Sequence, residues 1–101
     1  MEGLVNSDLS EVKCYPNPFG DEITVEINLA RDADVEVQVL NQMGQRINTL
    51  TTERLFNSGT HKFTWNGRNN SNNQVSSGIY YVRVMLGNEI YFKKVIYSNF
   101  E

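Results

Sequence analysis

The chain has 101 residues, a net charge of −3, 40% apolar and 21% charged residues, and one cysteine. That length serves a single domain, which buries roughly two-thirds of its extended surface on folding, and the composition is globular rather than disordered. The acidic balance lacks the basic face of an electrostatic nucleic-acid binder, no apolar stretch approaches the roughly 18 residues of a membrane helix, and one cysteine excludes an internal disulfide.

Residues 1–11 are polar and aperiodic and read as the end of a linker; Met1 through Ser10 has no basic run followed by an apolar run, so no signal peptide is expected there. An edge strand is expected over Val12–Tyr15. Pro16 and Pro18 then lock their backbone angles and remove two amide donors. Their segment therefore cannot be a central strand and should form a rigid corner where the linker ends.

Glu22–Leu29 alternates, with Ile23, Val25, Ile27 and Leu29 on one face and Thr24, Glu26 and Asn28 on the other. Asp34–Leu40 repeats the pattern, Val35, Val37 and Val39 inward against Glu36 and Gln38. A period of two marks strands with one wet face. Asn41-Gln42-Met43-Gly44-Gln45 is a turn in which Gly44 supplies a positive backbone angle. Arg46–Thr52 resumes less regularly, with Ile47 and Leu50, as an edge strand often does.

After the break at Asn57-Ser58-Gly59, Thr60–Trp65 places His61, Phe63 and Trp65 on one face. Asn66-Gly67 and the polar run Asn69–Asn73 form a loop. Ile79–Leu86 sets Tyr80, Val82, Val84 and Leu86 together with Arg83 opposite, and Gly87-Asn88 is a two-residue hairpin turn into Glu89–Tyr97. No segment carries helical spacing. The pattern predicts an all-β fold, an immunoglobulin/fibronectin-III-like β-sandwich of about seven antiparallel strands over 12–97, with a short tail at 98–101.

Little chemistry can be assembled from this inventory. The one histidine, His61, would have to be the base of any Ser-His-Asp or Cys-His arrangement, yet its alternation with Phe63 and Trp65 makes it a wall or rim residue of the sandwich. Cys14 is read as a small apolar filler beside Tyr15 rather than a reactive thiol. One Cys and one His cannot supply a structural zinc site. Asp32, Asp34 and Glu36 stand at every second position, but calcium needs oxygens converging from several loops, and a solvated acidic face is the simpler account. Asn69-Asn70-Ser71 fits a glycosylation sequon, although turn chemistry explains the same residues. Of the aromatics, most should be core; Tyr81 and Tyr91 are the two expected to point outward, leaving a weak carbohydrate platform as an alternative. No catalytic centre, metal or cofactor is expected.

Taken in order, several words carry a resemblance: Tyr15-Pro16-Asn17-Pro18-Phe19, Asn41-Gln42-Met43-Gly44-Gln45, Trp65-Asn66-Gly67-Arg68-Asn69, Val75-Ser76-Ser77-Gly78-Ile79-Tyr80-Tyr81 and Lys93-Lys94-Val95. In this order they resemble the type A C-terminal sorting domain of the type IX (Por) secretion system of Bacteroidota. The subtype is the one similar to the immunoglobulin-like domain of flagellar hook-capping proteins. The likeness runs from about Val12 to Tyr97. It departs at Asn66, where an aspartate is common, at Asn72-Asn73, where a glycine is usual, and in the tail Ser98–Glu101.

The resemblance implies a domain at the end of a larger exported cargo protein, covalently linked to it, with no membrane insertion. The parent would enter the periplasm and be carried across the outer membrane because the type IX translocon recognises this domain, so the product is secreted or held at the cell surface. In many family members a sortase-like protease then removes the domain. By position, Pro16, Asn17 and Pro18 match the opening motif, Gly78 and Tyr80 the glycine-x-tyrosine motif, and Lys93, Lys94 and Val95 the closing lysine-rich strand.

The residues fit that role on physical grounds as well. Tyr80 can bury its ring while its hydroxyl ties back to nearby backbone. Lys93 and Lys94, adjacent on a strand, point to opposite faces, so one can guard the edge while the other is offered to a partner. The alternative is a non-catalytic immunoglobulin- or fibronectin-like spacer of a secreted enzyme, with or without weak sugar binding.

Overall fold

The computed structural model describes residues 10–52 and 55–99. Seven strands follow in chain order: β1 (Glu11–Tyr15), β2 (Ile23–Leu29), β3 (Val35–Leu40), β4 (Arg46–Thr51), β5 (Gly59–Trp65), β6 (Gly78–Leu86) and β7 (Glu89–Tyr97). They form two antiparallel sheets, a three-stranded one in the order β1-β2-β5 and a four-stranded one in the order β4-β3-β6-β7. This is the all-β sandwich that the alternation predicts. β1 begins one residue earlier than expected, at Glu11. Most of the expected linker, residues 1–9, and the last two residues of the expected tail lie outside the described residues.

The core is made by the inward residues of both sheets. Ile23, Val25, Ile27 and Leu29 of β2 join Val35, Val37 and Val39 of β3 and Val82, Val84 and Leu86 of β6, all buried. These β-branched and γ-branched side chains suit a pleated surface with one dry face. At one end of the sandwich the core turns aromatic. Trp65, 1% exposed, meets the rings of Tyr80 at 5.2 Å, Phe19 at 5.5 Å and Tyr97 at 5.9 Å between centroids. Its indole N–H donates to the Arg68 carbonyl at 2.8 Å, which satisfies the one polar atom of an otherwise apolar side chain.

Two details depart from simple alternation. Gln38, placed on the wet face of β3, is nonetheless buried, because Arg83 of the neighbouring strand covers it: Nη1 donates to Gln38 Oε1 at 3.0 Å, and Gln38 Nε2 donates on to Glu36 Oε2 at 2.7 Å. The irregular spacing of Ile47 and Leu50 also has a structural cause. β3 pairs Leu40 with Arg46, Val39 with Asn48, Gln38 with Thr49 and Val37 with Thr51, so Ile47 and Leu50 are each an extra residue on β4. These are β-bulges, and each shifts the local register so that both apolar side chains pack against the core.

The turns are held largely by asparagine. Asn41 Oδ1 accepts from the amides of Met43 and Gln45, both at 2.9 Å, around Gly44 at φ 82°. Asn69 Oδ1 likewise accepts from the amides of Ser71 and Asn73 at 3.0 and 2.9 Å, and the Asn70 side chain accepts from the Thr49 amide of β4. The sequon asparagine is therefore the hub of a loop docked on the sheet.

Candidate recognition surface

The corner between β1 and β2 carries the opening motif. Both X–Pro bonds, Tyr15–Pro16 and Asn17–Pro18, are cis. With two residues in three unable to donate a backbone hydrogen bond, the Asn17 side chain takes over that role toward β7. Its Nδ2 donates to the Lys94 carbonyl at 3.0 Å and its Oδ1 accepts from the Ile96 amide at 2.9 Å. Phe19 completes the strap: its amide donates to the Ile96 carbonyl, and its carbonyl accepts from the Ser98 amide, each at 2.9 Å. Its ring stacks on Tyr97 at 5.0 Å. The corner thus behaves as a short stand-in strand along the C-terminal half of β7.

The other motif residues meet the same half-strand. Gly78 pairs with Tyr97 and Tyr80 with Val95 across the β6–β7 ladder. Tyr80 is buried and its hydroxyl donates to the Ser76 carbonyl at 2.6 Å, the tie back to backbone that its position predicts. Tyr97 in turn is seated by Gly67. That glycine has a φ of +78°, and a Cβ there would lie 2.4 Å from Tyr97 Cζ. The Tyr97 hydroxyl accepts from Gln74 Nε2 at 2.8 Å. Residues far apart in sequence (Asn17, Gly78, Tyr80 and Val95) therefore converge on one end of the closing strand.

Lys93 and Lys94 are both exposed and, as neighbours on a strand, point to opposite sides. Lys94 lies on the outer face. Lys93 lies on the side of Tyr91 and Val95, close enough to Cys14 to pull its pKa down a little. Burial wins at that thiol and raises its pKa from 9.0 to about 11, so Cys14 is a protonated, weakly nucleophilic filler.

The aromatics are distributed differently from expectation. Tyr91 does not point outward: it pairs with inward-facing Val84, packs against the core, and donates its hydroxyl to Glu89 Oε1 at 2.9 Å. Burial and that carboxylate both raise its pKa. The outward aromatic of β7 is Phe92, 59% exposed, flanked by Ile90 at 51% and Ile96 at 36%. Opposite Ile90, Phe92 and Ile96 on β6 stand Met85, Arg83 and Ile79, and Tyr81 stands opposite Lys94. The signal was present, since β7 has apolar residues at both parities, which a strand with one wet face does not need. Tyr15 projects from β1 and donates its hydroxyl to Glu26.

The remaining candidates serve the fold. His61 Nε2 lies 2.7 Å from the Asn57 carbonyl, and its ring meets Phe56 edge-on at 4.9 Å. Asp32 and Asp34 each accept a backbone amide, from Ser58 at 2.7 Å and Leu55 at 3.0 Å, so both carboxylates brace the loop before β5. Among the described residues no three His, Cys, Asp or Glu side chains gather into a metal-holding group.

Comparison with known proteins bears on the scaffold. The family profile of the FlgD Ig-like domain matches residues 17–89, so it takes in most of the corner and strands β2 to β6, leaves β1 outside and stops at the first residue of β7. Among solved structures, dimeric latent PorU from Porphyromonas gingivalis superposes with a TM-score of 0.73 at 17% identity, covering 91% of this chain and 9% of that one. PorZ, an essential bacterial surface component of the type-IX secretion system of the same organism, superposes with a TM-score of 0.56 at 24% identity, covering 86% of this chain and 11% of that one. At such identities the likeness is one of fold, and the chain spans only a small part of either protein. No curated protein matches it.

Proposed function

This chain belongs to the FlgD Ig-like domain family, and from that premise we propose that it is a C-terminal sorting domain, a non-enzymatic module through which type IX secretion machinery recognises a covalently linked cargo. Family membership by itself describes a scaffold, and function resides in the surface the scaffold presents. The observation that carries the reading is the convergence of the opening, middle and closing motifs on β7. Asn17 hydrogen-bonds to Lys94 and Ile96, Tyr80 pairs with Val95, and Lys93 and Lys94 stand exposed beside them. A sandwich that only needs corners has no need to gather those words at a single edge. The fold likeness to a domain-sized stretch of PorZ, a component of that secretion system, supports the same reading. The cargo would travel through the periplasm to the surface or medium, with the outer-membrane translocon as the partner and a sortase-like protease acting afterwards.

The test is a fluorescent reporter placed between a signal peptide and the full chain. In a type IX-competent host the reporter reaches the surface or the medium; in a host lacking the translocon it stays in the periplasm. Lys93→Ala with Lys94→Ala should lower export while the purified domain keeps its thermal midpoint, because neither side chain is buried. Substitution is cleaner than deleting the terminal segment, which would remove core residues Val95 and Tyr97. Equal export from both hosts would make the domain a spacer, and unchanged export of the lysine variant would remove β7 from the recognition surface.

A further inference from the structure

The N-terminal half of β7 is an unpaired sheet edge whose limits are set at both ends. Ile96 and Lys94 direct their backbone groups away from β6, toward Asn17 and Phe19. By strand alternation, Ile90 and Phe92 direct theirs the same way. No described residue pairs with them there. The Asn17 strap closes this edge at Lys94, and the Gly87-Asn88 turn closes it at the other end. What stays open is Glu89–Lys93, a stretch centred on Tyr91.

We infer that this edge pairs with the same edge of a second copy of the chain, antiparallel about a two-fold axis at Tyr91, joining two four-stranded sheets into one continuous sheet. The inference does not depend on the sorting reading. With the axis there, Ile90 of each copy faces the partner's Phe92, and the two residues exchange both backbone hydrogen bonds. On the outer face, Ile90 and Phe92 of each copy lose water together, and both are more than half exposed in the single chain. On the other face, Glu89 of each copy lies opposite the partner's Lys93, so an opposite-charge pair forms twice, once on each side of the axis.

Other registers fare worse. Centring the axis on Phe92 demands the Lys94 carbonyl, which already accepts from Asn17, and sets Glu89 opposite the partner's Val95. Centring it on Ile90 sets Glu89 opposite the partner's Tyr91 and leaves both lysines without an acidic neighbour. The self-complementary charge order and the two physical stops select the same centre independently. Pairing over so short a stretch buries less than the roughly 1,200 Å² of a standard interface, so the dimer is weak and concentration dependent.

Sedimentation velocity of the full chain from low micromolar to millimolar concentration tests this. The native chain should shift from monomer to dimer across that range. Glu89→Lys, which sets like charges face to face twice, should weaken dimerisation about tenfold. Adding Lys93→Glu to that variant restores opposite charges and should return the dissociation constant to within about threefold of native. Ile90→Pro removes an amide that points away from the fold's own ladder, so it should abolish the dimer while circular dichroism and the thermal midpoint stay near native. A native chain that remains monomeric throughout, or a charge-swapped chain that pairs no better than the single Glu89→Lys variant, overturns the proposal.

Discussion

Lys94–Tyr97 and Glu89–Lys93 are consecutive stretches of one strand on one ladder with β6, yet their surroundings are opposite. The later stretch carries Val95 and Tyr97 into the core, is strapped along its outer edge by Asn17 and Phe19, and rests on Gly67. The earlier stretch turns Ile90 and Phe92 to solvent and, among the described residues, has no strap. Cross-strand pairing is common to both, so hydrogen bonding along the ladder does not set their difference. The aromatic packing and the strap do. A closing strand can be anchored firmly at one end and held out for contact at the other.

The comparison breaks first at the anchored end. Trp65→Ala should lower unfolding free energy by about 3–5 kcal/mol, since it empties a closed ring cluster; a loss under about 1 kcal/mol in a urea titration would mean that cluster does not anchor β7. Gly67→Ala should cost about 2–4 kcal/mol, the sum of a left-handed backbone and a clash with Tyr97. Its double-mutant cycle with Tyr97→Leu should show strong coupling; additive losses would place the strain elsewhere. Asn17→Ala should cost about 1–2 kcal/mol for the two hydrogen bonds, with faster hydrogen exchange at the Ile96 amide and no change at Val82. Equal acceleration at both amides would mean the corner supports the whole sandwich rather than one half-strand. The smallest effect belongs to the open end: Phe92→Ala, measured at dilute concentration, should shift stability by no more than about 0.5 kcal/mol. A larger loss would make that stretch part of the core and erase the contrast.

Much of this was legible in the residues. The strict alternation of β2, β3 and β6 announces one wet and one dry face, and the observed core follows it. The prolines place a corner, and Gly44 and Gly87 lie in turns where expected. The job of Asn17 was not legible, because its partners lie 77 and 79 residues away and only the closed fold brings them together. Gln38 misleads for a related reason: its burial depends on how Arg83 drapes across a neighbouring strand, a long-range event that period two does not encode. Tyr91 faces inward against expectation because β7 is apolar on both parities, and which parity faces in depends on its register with β6.

The paired bulges at Ile47 and Leu50 have a consequence for the far side of the same sheet. Extra residues bend and twist β4, and a bent border makes a poor template for another strand. Of the two rims of this sheet, therefore, only the one bearing Phe92 can extend it. Growth of this four-stranded sheet through that rim uses up its open border in both copies in a single step, so this sheet's extension terminates at a pair.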